Sequence, residues 1–583
     1  MSRFEIKDQF YLDGEPYQIS SGAGHYFREP RAYWRDRLEK LKAMGCNTVE
    51  TYVPWNLHEP KKGEFHFEDD LDVGAFLDEA KALGLYAIVR PSPFICAEWE
   101  FGGLPAWLLS GEDIPLRSSE GPFLSLVADY YKRLFPELVS RQVDNGGGVI
   151  LMQVENEFGS WGVHDLDYLE AMAMLMRQNG AVVPFVTSDN TEEGTLSRGT
   201  FPGAHPTLNF GSGAREKLEK LLTPYSKDGP KMVMEFWDGW FDAWGDEAHH
   251  TADAAGSAAD LDDILDVGSV NFYMFHGGTN PGFLNGANYY DRLTPDVTSY
   301  DYDAPLTEDG RLTPKYEAYR AVIARHALVP EVELTTVIRR RAYGRLTPDG
   351  AAELFAGLGA PAARALDRPA SMVRLGQGYG YILYRATLPA GRVTALELTR
   401  AADRAQIFLD GKPALTLYDH ELEGELRVDW TLASPARLDI LVENLGRVNY
   451  GRNMAHQRKG VDGDVLVNGA PVAGWDVWTL PLERAEVEAL DFQKAPRSGG
   501  PAFFHFTFEA EDPCDAFVDT AGWGKGCVFI NGKNLGRFWD IGPQKRLYLA
   551  APLLRCGKNE LVVLETEGRR GETITLADAP DLG

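Results

Sequence analysis

A chain of 583 residues exceeds what one hydrophobic core sustains, roughly 250–300 residues, so several folding units are expected. Hydrophobic residues at 44% and charged residues at 25% fit globular domains and exclude a mostly disordered or membrane-embedded chain. With 86 acidic against 58 basic side chains the net charge is -28, a field that repels nucleic-acid phosphates and anionic lipid and leaves a neutral ligand as the expected partner.

The opening MSRFEIKDQFYLDGEPYQIS lacks a basic start followed by an apolar run, and no stretch approaches the roughly 18–20 apolar residues of a membrane span. A soluble, cytoplasmic protein is the expectation. Five widely spaced cysteines, an odd number with no CxxC pair, argue against a disulfide framework and a structural zinc site. The 13 Trp and 24 Tyr offer more amphipathic ring surface than a core alone requires, and sugar stacking is one use for it.

From about residue 17 to 327, β-rich runs alternate with helical patterns. The predicted strands are QISSGAGHYF (18–27), CNTVETYVPW (46–55), LYAIVRPSP (85–93), VILMQVENE (149–157), AVVPFVTSD (181–189), TLNFG (207–211), KMVMEFWDGW (231–240) and SVNFYMFHGG (269–278). Trp34, Leu38 and Leu41 recur at helical spacing before Gly45, and TPKYEAYRAVIARHALVP (313–330) closes the series as an amphipathic helix. Eight such units predict a (β/α)8 barrel over 1–327, and no GxGxxG follows the first strand to suggest a dinucleotide.

After about residue 330, short alternating runs separated by Gly, Asp, Asn and Pro turns predict two all-β, jelly-roll-like domains, 328–484 and 485–583. IFLDGKPALTL (407–417) and VFINGKNLGRFW (528–539) each read as strand, Asx-Gly turn and returning strand, at Asp410-Gly411 and Asn531-Gly532. The stretch RAEVEALDFQKAPRSGG (484–500) reads as a linker.

In a (β/α)8 barrel the chemistry sits over the C-terminal strand ends. There the runs end in His25-Tyr26, Glu50 to Asn56, Cys96 to Glu100, Glu155-Asn156-Glu157, Glu235 to Trp240, and His276 followed by Tyr300 to Asp303. Carboxylates and rings converging on one rim suit carbohydrate cleavage, and retaining glycoside hydrolysis needs two facing carboxyl groups. Glu157 and Glu235, from strands expected on opposite sides of the barrel, are the candidates. Strand periodicity does not separate Glu155 from Glu157; depth favours Glu157, nearer the strand end, with Asn156 beside it to meet a sugar hydroxyl.

The chain resembles the family 35 glycoside hydrolases, β-galactosidases of the acid β-galactosidase type, over nearly its whole length. The resemblance rests on SSGAGHYFREP (20–30), NTVETYVPWNLHEP (47–60), PFICAEWEFGGLPAWLL (93–109), QVENEFG (153–159), MEFWDGWFDAWG (234–245), FHGGTNPGF (275–283) and TSYDYDAPLTEDG (298–310). It implies Glu157 as acid/base, Glu235 as nucleophile, and a galactose subsite lined by Tyr52, Cys96, Ala97, Glu98, Asn156 and Tyr302 with Trp240 beside it. ENLGRVNYG (443–451) matches a β-domain motif of that family, and Phe158 replaces its more usual Tyr.

The implied activity is retaining, exo-acting β-galactoside hydrolysis without cofactor or metal. Its partner would be a β-galactoside oligosaccharide, and a homo-oligomer is left open. An exo-β-glucosaminidase on the same framework and a catalytically silent sugar-binding protein are the alternatives. Glu98 has a competing structural reading as partner of an arginine such as Arg90. His25, His58 and His276 match no zinc spacing. Cys96, Trp99, Trp237 and Trp244 are expected to pack, and Tyr450 is expected to reach the rim and touch the leaving group.

Overall fold

The computed structural model describes residues 2–111, 113–493 and 499–583. Eight parallel strands close into a barrel: β1 (Ser20–Gly24), β2 (Thr48–Tyr52), β3 (Tyr86–Arg90), β4 (Val149–Gln153), β5 (Phe185–Asn190), β6 (His205–Phe210), β7 (Met232–Trp237) and β8 (Ser269–His276). All eight predicted runs form strands, in sequence order around the ring, with β8 returning to pair with β1. Most stop short of the predicted C-terminal ends, because the residues that carry the chemistry leave the sheet. Glu155 and Glu157 adopt left-handed backbone (φ 59 and 45) beyond the end of β4.

Helices Arg31–Met44, Val73–Ala82, Phe123–Val139 and Leu166–Gln178 follow the first four strands, and Pro314–His326 closes the barrel. The last begins where the Thr313 side chain caps the Tyr316 N–H, with a proline in the first turn that needs no donor partner. After β5 only the short helix Thr195–Gly199 appears. An N-terminal meander, Phe4–Ile6, Phe10–Leu12 and Glu15–Pro16, covers the barrel's other mouth. Phe10 packs on His205 and Tyr17 on Tyr86, and those partners are the first residues of β6 and β3.

Two β-sandwiches follow. The first packs a six-stranded sheet centred on Tyr381–Leu388 and Ala436–Glu443 against a four-stranded sheet around Gly391–Leu398, over Ile382, Leu396, Ile440 and Trp475. The second packs the five-stranded sheet of Ala502–Ala510 and Gly557–Glu565 against a four-stranded one, over Phe506, Trp523, Val528 and Leu561. Both Asx-Gly pairs make hairpins as expected, with positive φ at Asp410 (50) and Gly411 (79) and at Asn531 (49) and Gly532 (82). Two consecutive positive φ angles are what a tight right-twisted hairpin requires.

Segment assignment is less simple than a cut at 328 and 484. Strands Gly344–Leu346 and Gly350–Glu353 pair with Ile574–Ala577 and Ala502–Ala510, so a stretch preceding the first sandwich completes both sheets of the second. The expected linker begins as a helix, Arg484–Glu488, and its residues 494–498 lie outside those described. Both sandwiches dock on the barrel: in the first, Val448 bridges to Ala287 and Arg447 pairs with Glu100 at 2.5 Å, and in the second the Arg537 carbonyl accepts from Thr298 Oγ1 at 2.8 Å.

Candidate active site

A cavity of about 290 Å³ opens over the C-terminal ends of the barrel strands. Glu157 arrives from the turn after β4 and Glu235 from within β7, strands three steps apart around the ring. Tyr52, Cys96, Ala97, Glu98, Asn156, Trp240 and Tyr302 line the same space, so every residue expected at the site is there.

The two carboxylates have opposite surroundings. Glu235 accepts from Arg90 Nη2 (2.5 Å) and Tyr52 Oη (2.9 Å) on Oε1, and from Trp237 Nε1 (3.0 Å) on Oε2. Three donors, one a guanidinium, make the environment of an anion. Glu157 accepts only from Asn209 Nδ2, at 3.2 Å. Burial, reinforced by the charge of Glu235, pushes its carboxyl up to about 8.

Asn156 ties the pair together. Its Oδ1 accepts from Tyr52 (3.0 Å), Arg90 (2.6 Å) and Gln153 (3.1 Å), a network that fixes the chain between the two acids. Glu155 is removed from the cavity: Arg117 grips both its oxygens (3.0 and 2.7 Å), and Tyr168 Oη adds a third bond at 2.8 Å. Strand alternation fails to separate Glu155 from Glu157 because neither lies in the strand.

At the other wall, Tyr300 Oη donates to Glu98 Oε2 at 2.5 Å, and burial pushes the Glu98 carboxyl up to about 7. The Arg90 partnership considered for Glu98 does not form; Arg90 engages Glu235 and lies 3.7 Å from Glu50. Cys96, Ala97 and Glu98 are three consecutive non-glycine residues with φ of 57, 61 and 48. Each left-handed residue costs roughly 1–2 kcal/mol, so this loop is held by its surroundings. Arg28 supplies part of the hold, donating to the Ala97 carbonyl and stacking 3.6 Å over the Tyr300 ring. Burial raises the Cys96 thiol, as suits a wall residue and not a nucleophile.

The mouth carries Trp240 (40% exposed), Tyr290 (75% exposed) and Tyr450. Tyr450 comes from the first sandwich on the 443–451 segment, as expected, and its Oη accepts from Asn190 at 3.3 Å. The same segment sends Asn449 to Cys96 Sγ at 3.7 Å. Trp99 is fully buried and bonds Asn56, a packing residue as expected, whereas Trp237, also expected only to pack, touches Glu235.

Arg90, Asn209, Tyr273 and Tyr290 are functional neighbours that the motifs do not single out. Arg90 ends its strand, a position that carries a signal; Tyr290 sits in a long loop that carries none. His58 bonds the His66 carbonyl and His276 the Glu308 carbonyl, and His25 is enclosed among rings. Among the described residues one trio, Asp242, Asp246 and His250, brings its polar atoms within 4.8 Å. Asp242 there already accepts from both His249 and His250.

Comparison with known proteins agrees with this geometry. A profile described as "Glycosyl hydrolases family 35" matches residues 9–326. Profiles for a β-galactosidase first all-β domain and a β-galactosidase galactose-binding domain match 369–482 and 501–559. The human "Beta-galactosidase-1-like protein 2" is 39% identical over 98% of this chain and 91% of its own. A "Beta-galactosidase" of Xanthomonas manihotis is 41% identical over 93% of this chain and 90% of its own. The human "Beta-galactosidase" is 39% identical over 97% and 87%. The barrel, its two carboxylates and the full-length match together place this chain in glycosyl hydrolase family 35.

Proposed function

We propose that the chain is an exo-acting β-galactosidase that removes terminal β-D-galactosyl residues with retention, Glu157 serving as acid/base and Glu235 as nucleophile. One observation carries the reading: two carboxylates face one cavity, one ringed by donors and the other buried with a single amide. A space of about 290 Å³, at the small end of ligand sites, suits one terminal sugar and supports exo action. The galactosidase relatives support galactose as that sugar.

In the first step Glu235 attacks the anomeric carbon from the face opposite the leaving group while Glu157 gives its proton to the departing oxygen. A galactosyl ester on Glu235 results. Glu157, now a carboxylate, takes a proton from water as that water attacks the same carbon. Glu235 leaves, Glu157 is again protonated, and two inversions give β-galactose. Arg90, Tyr52 and Trp237 hold the nucleophile in line throughout, and Glu98, steadied by Tyr300, offers an acceptor to the sugar hydroxyls. Five unpaired thiols support the further proposal of a reducing, cytoplasmic setting.

Azide distinguishes the two acids. Glu235→Gly loses nearly all turnover, and azide restores it with α-galactosyl azide as product; Glu157→Gly yields the β-azide. NMR of the products reads the configuration, and near-normal turnover in Glu235→Gly without azide defeats the assignment.

A further inference from the structure

A second, larger cleft of about 800 Å³ opens where the barrel rim meets both sandwiches. Its size lies within the roughly 300–1,000 Å³ of ligand clefts. The barrel supplies Trp244 and the strand Leu293–Pro295, the first sandwich Gln406 and Tyr418, and the second Trp539 and Arg569. Tyr418 and Trp539 stack across the module boundary, with centroids 5.6 Å apart and planes at 13°, and Trp244 lies 6.5 Å from Trp539. Both stacked rings are half-buried.

Rings beside planar polar side chains are the chemistry of sugar recognition. C–H faces rest on aromatic surface, and hydroxyls, which donate and accept, meet both kinds of partner. The lining carries the carboxylates of Asp419, Asp540 and Glu567 against the guanidiniums of Arg292 and Arg569, so it disfavours an anion and suits a neutral ligand.

Gln406 gives the specific sign. It is 5% exposed, and its Nε2 donates to the Thr566 carbonyl at 2.8 Å. Among the described residues its Oε1 has no hydrogen-bond partner, although the residue lines the cleft. An unpaired buried amide oxygen is costly, and a ligand hydroxyl in the cleft would satisfy it once the amide turns outward.

The cleft also shares a wall with the catalytic cavity. Asn288 and Tyr290 line the cavity, while Leu293 to Pro295 on the returning strand of the same hairpin line the cleft. Asp419 of the first sandwich fixes that strand by accepting from the Leu293 N–H at 2.8 Å.

We propose that this cleft is a second carbohydrate-binding site for a neutral oligosaccharide, either the outer units of the substrate or a separate glycan chain. It goes beyond the catalytic reading and needs neither Glu157 nor Glu235.

The test uses the full chain carrying Glu235→Gln and measures calorimetric affinity for β1,4-galactotetraose and for galactose. Tyr418→Ala and Gln406→Leu, each added separately, are expected to weaken tetraose binding about tenfold and leave galactose binding unchanged. Excess galactose displaces the tetraose if one chain spans both spaces and leaves it bound if the cleft takes a separate chain; either result, with the loss in the variants, supports the site. Tetraose affinity unchanged in both variants overturns it. The two readings fail separately, since hydrolysis by Glu235→Gln counts against the catalytic assignment and unchanged affinity against the cleft.

Discussion

Two buried glutamates, Glu157 in the cavity over the barrel strands and Glu443 between the sandwiches, show what burial alone does not decide. Glu157 is 7% exposed and Glu443 is 1% exposed, yet their carboxyls shift in opposite directions. Burial pushes both upward. At Glu443 it is outweighed by Lys525 (2.6 Å), Arg404 (3.4 Å) and Arg537 (3.6 Å), which hold the carboxyl below its ordinary value. Glu157 has no cation in contact and a second carboxylate nearby. One arrangement holds a carboxylate among cations across two domains; the other favours the protonated carboxyl, as the proposed acid role requires.

The comparison breaks most visibly at the catalytic member. Glu157→Gln should lower kcat/KM for a disaccharide by about 10²–10⁴-fold, the usual worth of a general acid. A dinitrophenyl galactoside, whose leaving group needs no proton, should lose far less in the first step. Equal losses on both substrates would remove Glu157 from the acid role.

Glu443→Ala leaves Lys525 and Arg537 buried without their carboxylate, while Arg404 keeps Glu567 at 3.1 Å, and should destabilise the protein by about 3–5 kcal/mol, read as a lower Tm. Activity per folded molecule should hold, since Glu443 lies outside the cavity.

Stability should respond to pH in opposite senses at the two sites. The raised Glu157 carboxyl contributes stability that is complete below its ordinary 4.5 and lost as pH rises through about 8. The lowered Glu443 carboxyl contributes stability present above 4.5 and lost as pH falls through its depressed value. Tm of Glu157→Gln should therefore gain on wild type between pH 5 and pH 8, roughly the window of the shift. Tm of Glu443→Gln should fall behind wild type as pH rises from below that depressed value to above 4.5. Parallel curves would erase the contrast.

Arg90→Lys keeps the charge but gives up the shared grip on Glu235 and Asn156. A loss of about 10–100-fold in kcat, equivalent to about 1.4–2.7 kcal/mol, is expected. The smallest effect should come far from both sites: Gly411→Ala, at φ 79 in an exposed hairpin, should cost about 1–2 kcal/mol and leave kinetics untouched.

Much of this was legible in sequence for identifiable reasons. The βα alternation marked all eight barrel strands, and Asx-Gly pairs marked both hairpins, because these patterns report constraints between near neighbours. Glu157, Glu235 and the residues around them stood out through long ordered motifs. Glu155 did not separate from Glu157, because the choice was made by Arg117 and Tyr168, in contact with Glu155 only after folding. Trp237 was legible as a strand-end aromatic but not as a donor to Glu235.

The sequence by itself determined the barrel and the pair of all-β modules, and it pointed to Glu157 and Glu235 as the two candidate acids. Tertiary structure decided the contrasting surroundings of these two carboxylates, the strained Cys96 to Glu98 loop, the strands lent by Gly344–Leu346 and Gly350–Glu353, and the cleft at Gln406. The reason is distance along the chain. Local patterns reach a few residues, whereas Arg90 meets Glu235 across 145 positions and Lys525 meets Glu443 across 82, and only a folded chain brings such charges within bonding range.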